Sequence, residues 1–120
     1  MTFTVTVDEE RKLVRIRHEG EMSVAEMFEG RRTVGQLLQK HGFHRMLVDT
    51  RAVNEMPDTM GAFEISSSHH QDLSLQVRLA ILSQPESLPD LDFVENVAIN
   101  RGFQVRGFCD EAEAIAWLME

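Results

Sequence analysis

The chain has 120 residues, of which 42% are hydrophobic and 27% charged, with a formal net charge of −8 and a single cysteine. That length suits one domain spanning residues 1–120, able to bury on the order of two-thirds of the surface its unfolded chain exposes, and the composition excludes a disordered or low-complexity protein. The acidic balance opposes nucleic acid and anionic membrane surfaces, no apolar stretch approaches the roughly 20 residues that span a bilayer, and Cys109 alone can form neither an intrachain disulfide nor a thiolate-rich metal site.

The opening residues Met1 to Asp8 alternate apolar and polar without the basic and apolar segments of a signal peptide, so a cytoplasmic protein is expected. Phe3, Val5 and Val7 predict a first strand, and Leu13, Val14 and Ile16 a second, joined as a hairpin through the charged turn from Asp8 to Lys12. Ser23 followed three residues later by Glu26 is a capping-box pattern. It starts the longest helix, in which Val24, Met27, Phe28, Val34, Leu37 and Leu38 keep helical spacing until Gly42 supplies a stop. Met46, Leu47 and Val48 predict a buried strand that ends at Asp49, followed by a loop from about Thr50 to Pro57. Asp58 then caps a second helix running to about Gln71, whose apolar face, Met60, Phe63 and Ile65, gives way to three serines and two histidines.

Val77 and the run from Leu79 to Leu82 predict the next strand, and Pro85 to Pro89 a turn into a third helix with Leu91, Val94, Val97 and Ala98 facing inward until Gly102. The segment after Gly102 is a short strand feeding a helix capped by Asp110, with Glu113 completing a second capping box and Ala112, Ile115 and Ala116 on one face. The order is therefore ββαβαβαβα: an α/β fold with a mixed, mostly parallel five-stranded sheet and about four helices, the hairpin adding an antiparallel edge.

Candidate chemistry is sparse. His69 and His70 are adjacent on a helix, where side chains diverge by about 100° and cannot share one metal; both are expected on a solvated surface. His41 and His44 flank the helix stop at Gly42 and suit the negative end of the helix dipole, His18 completes no ligand spacing, and no metal or cofactor signature occurs. Asp90, Asp92 and Glu95 occupy the first turns of a helix, where carboxylates stabilise the dipole without catalysis. Asp8, Glu9 and Glu10 read as a solvated turn, Cys109 as a structural cysteine and Trp117 as a packing anchor. The remaining candidate is a crevice beyond the strand C-termini formed by Asp49, Asp58, Met60 and Phe63, with Thr59 in a first helical turn as a phosphoacceptor.

Three segments carry a family resemblance: Val14 to Gly20 leading to Ser23, the strand Met46 to Arg51, and the closing run from Phe108 to Leu118. Together they resemble the SpoIIAA-like family, small bacterial proteins related to the STAS (anti-sigma-factor antagonist) fold and described as STAS or Sec14-like domains. The resemblance implies a non-enzymatic regulatory or protein-interaction module acting through a protein partner or as a homodimer. In the antagonists a serine opening the helix after the central strand is phosphorylated. Here that stretch is Met56 to Gly61, without the Asp-Ser-Ser-Gly type of signature, and Thr59 falls near the position. The Sec14-like branch implies an alternative, a carrier of an apolar, lipid-like small molecule in a pocket that Met22, Met27, Met56, Met60 and Phe63 would line. No nucleophile, base and orienting group can be assembled from the chain, so an enzyme is not expected.

Overall fold

The computed structural model describes residues 3–120 and, of Leu88 and Pro89, the backbone alone. Met1 and Thr2, at the head of the expected first strand, lie outside the described residues, as does the side chain of Pro89 in the expected turn. The element order is β1 (Phe3–Asp8), β2 (Leu13–Glu21), α1 (Val24–His41), β3 (Arg45–Glu55), α2 (Thr59–Ser66), β4 (Arg78–Leu82), α3 (Leu88–Ile99), β5 (Gln104–Phe108) and α4 (Glu111–Leu118). Single turns of 3-10 helix at His69–Gln71 and Pro85–Ser87 lie in the connections.

The five strands lie in sequence order, β1-β2-β3-β4-β5. β1 and β2 pair antiparallel, with Val5 opposite Ile16, and every later pair is parallel, in register Ile16, Val48 and Ile81 across β2, β3 and β4. Alternation along each strand divides the side chains between two faces. On one face Val14, Ile16, Met46, Leu79 and Val105 meet α1 and α3 through Val34, Leu38 and Ala98. On the other, Leu13, Leu47, Ala80, Leu82 and Phe108 are covered by α4 alone, through Ala114 and Leu118. Both faces of β3 and β4 are thus buried, which is why those strands read as continuous apolar runs.

The caps form as their residues dictate. Ser23 accepts from the Glu26 amide, Asp58 from Gly61 and Asp110 from Glu113, and Gly42 closes α1 in the left-handed conformation at φ 69°.

Three local expectations are corrected. The strand through Asp49 does not stop there: β3 continues to Glu55, because the second half of β2 follows it, pairing Glu19, Gly20 and Glu21 with Ala52, Val53 and Glu55 across two bulges. α2 ends at Ser66 and not near Gln71, since the Ser66 and Ser68 hydroxyls donate to the carbonyls of Ala62 and Glu64 and compete with continuation of the helix. In α4 the buried side chains are Ala114 and Leu118, while Ala112 and Ala116 face solvent.

Candidate functional site

Between the sheet and α1, α2 and α3 lies a cavity of about 510 Å³, within the size range of small-molecule sites. Its floor is the helix-bearing face of the sheet: Ile16 and His18 of β2, Met46, Val48 and Thr50 of β3, Leu79 and Ile81 of β4, and Val105 of β5. Its walls are Met27 and Arg31 of α1, Ala62, Ile65 and Ser66 of α2, and Leu91 and Val94 of α3, with Met22 and Met56 from the connections. Asp58, Thr59, Asp90 and Phe93 are the exposed members of the lining and form its rim.

The space follows from α2. This helix presents Ala62 and Ser66 toward the sheet, side chains too short to fill the gap between layers. Gly61 lets it lean on the loop and on α1, since a Cβ there would meet Val24 and Pro57. Four methionines, Met22, Met27, Met46 and Met56, line what remains, and their unbranched thioethers adapt to the shape of a guest.

Three ionisable side chains, Arg31, His18 and His69, are buried in this apolar wall, besides the hydroxyls of Thr50 and Ser66. Arg31 is 3% exposed; its Nε donates to Asp72 Oδ2 at 2.7 Å, and its Nη1 to the Ile65 carbonyl at 2.8 Å and Ser68 Oγ at 3.1 Å. Its Nη2 has no acceptor among the described residues, nor has Nδ1 of buried His18 a partner. His69 packs edge-on against Phe103 beside Arg31. Burial, reinforced by the Arg31 charge, pushes its pKa down to about 4, and burial lowers His18 as well, so both imidazoles are neutral at neutral pH.

The residues singled out from sequence do not meet in one crevice. Asp49 points to the opposite face of the sheet, toward α4. There it accepts from Arg15 Nη2 and Arg51 Nη2, each at 3.0 Å, and Glu111 closes the cluster by accepting from both arginines. Burial alone would raise its carboxyl, but the hydrogen bonds from Arg51 and Arg15 win and bring it down to about 2. Asp58 and Thr59 belong to the cavity rim, with Thr59 exposed in the first turn of α2. Met60 and Phe63 lie on the outer side of α2, 68% and 41% exposed, with the Arg101 guanidinium over the Phe63 ring.

Met22, Met27 and Met56 line the cavity as the carrier reading expected; Met60 and Phe63 do not, and Met46 joins them. The histidine pair splits: His70 is exposed, but His69 is buried, because the break after Ser66 turns it under α1. Glu95 does more than sit near a helix start, for it accepts from the Gly107 amide on edge strand β5. Cys109 is exposed, and Trp117 packs against Phe108 with Arg78 over its ring. Among the described residues no cluster of three or more His, Cys, Asp or Glu side chains is placed to hold a metal, and no helix is long and apolar enough to cross a membrane.

The residue missed was Arg31, and its signal was in plain view. Val24, Met27, Arg31, Val34 and Leu38 follow alternating steps of three and four, so a cation occupies the buried stripe of α1.

A mixed sheet carrying three helices on one face, one on the other and a cavity beneath the three defines a small α/β domain. The SpoIIAA-like family model matches residues 13–119, and the chain belongs to that family. No curated protein matches it by sequence. Among solved structures the fold is shared with an anti-sigma factor antagonist from Mycobacterium paratuberculosis, at 11% identity and TM-score 0.64 over 98% of this chain and 95% of that one. It is also shared with the anti-sigma factor antagonist SpoIIAA in its unphosphorylated form, at 16% identity and TM-score 0.62 over 96% of each chain. An uncharacterised protein with a SpoIIAA-like fold from Shewanella loihica matches at 14% identity and TM-score 0.61, over 97% of this chain and 93% of that one.

Proposed function

We propose that this protein is a non-enzymatic regulatory domain of the STAS type that binds an apolar, lipid-like small molecule in the cavity between its sheet and α1, α2 and α3. The cavity carries the reading: about 510 Å³ of space with a methionine-lined, aliphatic wall is a site for a guest, in a chain otherwise packed on both faces of its sheet. The polar groups of the lining bind rather than react. Thr50 Oγ1 is engaged with the Leu82 carbonyl and Ser83, the Ser66 hydroxyl with Ala62, and among the described residues no nucleophile is hydrogen-bonded to a base that a third group orients.

α2 links the guest to a protein partner, because it walls the cavity with Ala62 and Ser66 and presents Met60 and Phe63 to the exterior. A guest that fixes α2 selects one arrangement of that outer face, which is the surface we assign to a protein partner or a second copy of the chain. Two structural neighbours are named as antagonists of an anti-sigma factor, which supports a protein partner. Native mass spectrometry of protein purified from its own host without detergent tests the reading. An added mass of a few hundred daltons is expected, released on unfolding; a bare mass together with no uptake of added decan-1-ol contradicts it.

A second reading, phosphorylation of Thr59, is favoured by the exposure of that residue in the first turn of the helix after the central strand. Asp58 already places a carboxylate on the Gly61 amide, so a phosphate would have to share that helix end with an existing anion. Peptide mapping of the same host-purified protein decides it: a phosphate on Thr59 supports the switch, and an unmodified residue under all growth conditions removes it.

A further inference from the structure

The polar groups sunk in the cavity wall say what kind of guest belongs there. A guanidinium carries five N–H donors, and the described residues give Arg31 acceptors for Nε and Nη1 only: Asp72 Oδ2, the Ile65 carbonyl and Ser68 Oγ. Nη2 is buried with no protein acceptor, in a residue that lines the cavity, and so is Nδ1 of His18, on β2 beneath the neighbouring turn of α1. A buried donor on a charged group left without an acceptor is costly, and Asp72 meets the guanidinium through Nε alone. The rim has the opposite character. Its ionisable members are the carboxylates Asp58 and Asp90, which repel an anionic head at the entrance and so orient an acid with its head away from the rim.

Resting on the cavity reading above, we propose that the guest is an amphipathic acid, an alkyl or acyl chain ending in a carboxylate, with its head at the Arg31 guanidinium and its tail running along the methionine-lined wall toward Phe93. The carboxylate supplies the acceptor the guanidinium lacks, and the aliphatic floor takes the chain.

The test compares three probes of equal chain length, decanoate, decan-1-ol and decylamine, by calorimetric titration of the full chain at neutral pH. A plain apolar cavity ranks the alcohol first, because burying an unpaired charge is costly. An anion site reverses that order: decanoate is expected to bind about tenfold tighter than decan-1-ol, with decylamine weakest. Equal or tighter binding of the alcohol overturns the head-group assignment and leaves the cavity reading standing, whereas failure of all three probes overturns both.

The double variant Arg31→Met with Asp72→Asn removes both charges together, so neither is stranded. It is expected to lose the preference for decanoate over decan-1-ol, and retention of the preference overturns the role of Arg31. The order of the three probes on the unaltered protein stands whether or not that variant folds.

Discussion

Three buried side chains divide the acid response of this protein between opposite faces of the sheet, His69 and His18 on one and Asp49 on the other. His69 has a folded pKa near 4, below its ordinary 6.5, so the stability tied to its neutral form is present above pH 6.5 and is lost as the pH falls toward 4. Asp49 has a folded pKa near 2 against an ordinary 3.8, so its contribution is present above that ordinary value and drains away as the pH falls toward 2. Urea denaturation across the acid range should show two successive losses, the first of roughly 3 kcal/mol from His69, to which His18 adds, and the second of roughly 2 kcal/mol. His69→Gln should reduce the first and leave the second. Asp49→Asn should abolish the second and cost about 2 kcal/mol at neutral pH, by leaving Arg15 and Arg51 with Glu111 alone. A single acid transition unchanged by either variant would refute this assignment. Neither environment could be read from sequence: Asp49 depends on Arg15 and Glu111, which lie 34 and 96 residues from their partners in the chain, and His69 on a helix break three residues earlier. Arg31 was legible, because a cation on an apolar stripe is a local pattern.

At the scale of elements, what could be read was whatever local chemistry decides. Ser23, Asp58 and Asp110 each cap the helix their sequence context announced, and Gly42 stops α1. The far end of β3 was not readable, since Thr50 to Glu55 has little apolar alternation and is held as strand by a bulged pairing with β2 that only the folded chain creates. α2 walls the cavity and carries the least local signal: eight residues whose short Ala62 and Ser66 side chains leave space above the sheet. Filling that space from α2 is therefore informative. Ala62→Phe should place an aromatic ring in the cavity, raise stability by about 1 kcal/mol through new apolar burial, and abolish uptake of decan-1-ol. Thermal melts with and without the alcohol check it, and a destabilised variant that still responds to decan-1-ol would show that the space beside Ala62 is not where the guest binds.

For the whole molecule, family membership and fold agree with the element order ββαβαβαβα read along the chain, because hydrophobic patterning and turn chemistry act in the same direction along most of its length. The site was less legible than the fold, since a cavity is a shortfall of side-chain volume between elements distant in sequence, and no motif encodes it. The account's central claim is that this space takes an apolar guest, and the methionines offer a direct readout. Met22, Met27, Met46 and Met56 line the cavity, while Met60 and Met119 are exposed elsewhere on the surface. NMR of the methionine methyl groups, recorded as decan-1-ol is added, should move the first four resonances together and saturably and leave Met119, beyond α4 on the other face of the sheet, in place. Movement confined to Met60 and Met119, or no saturable movement at all, would contradict it.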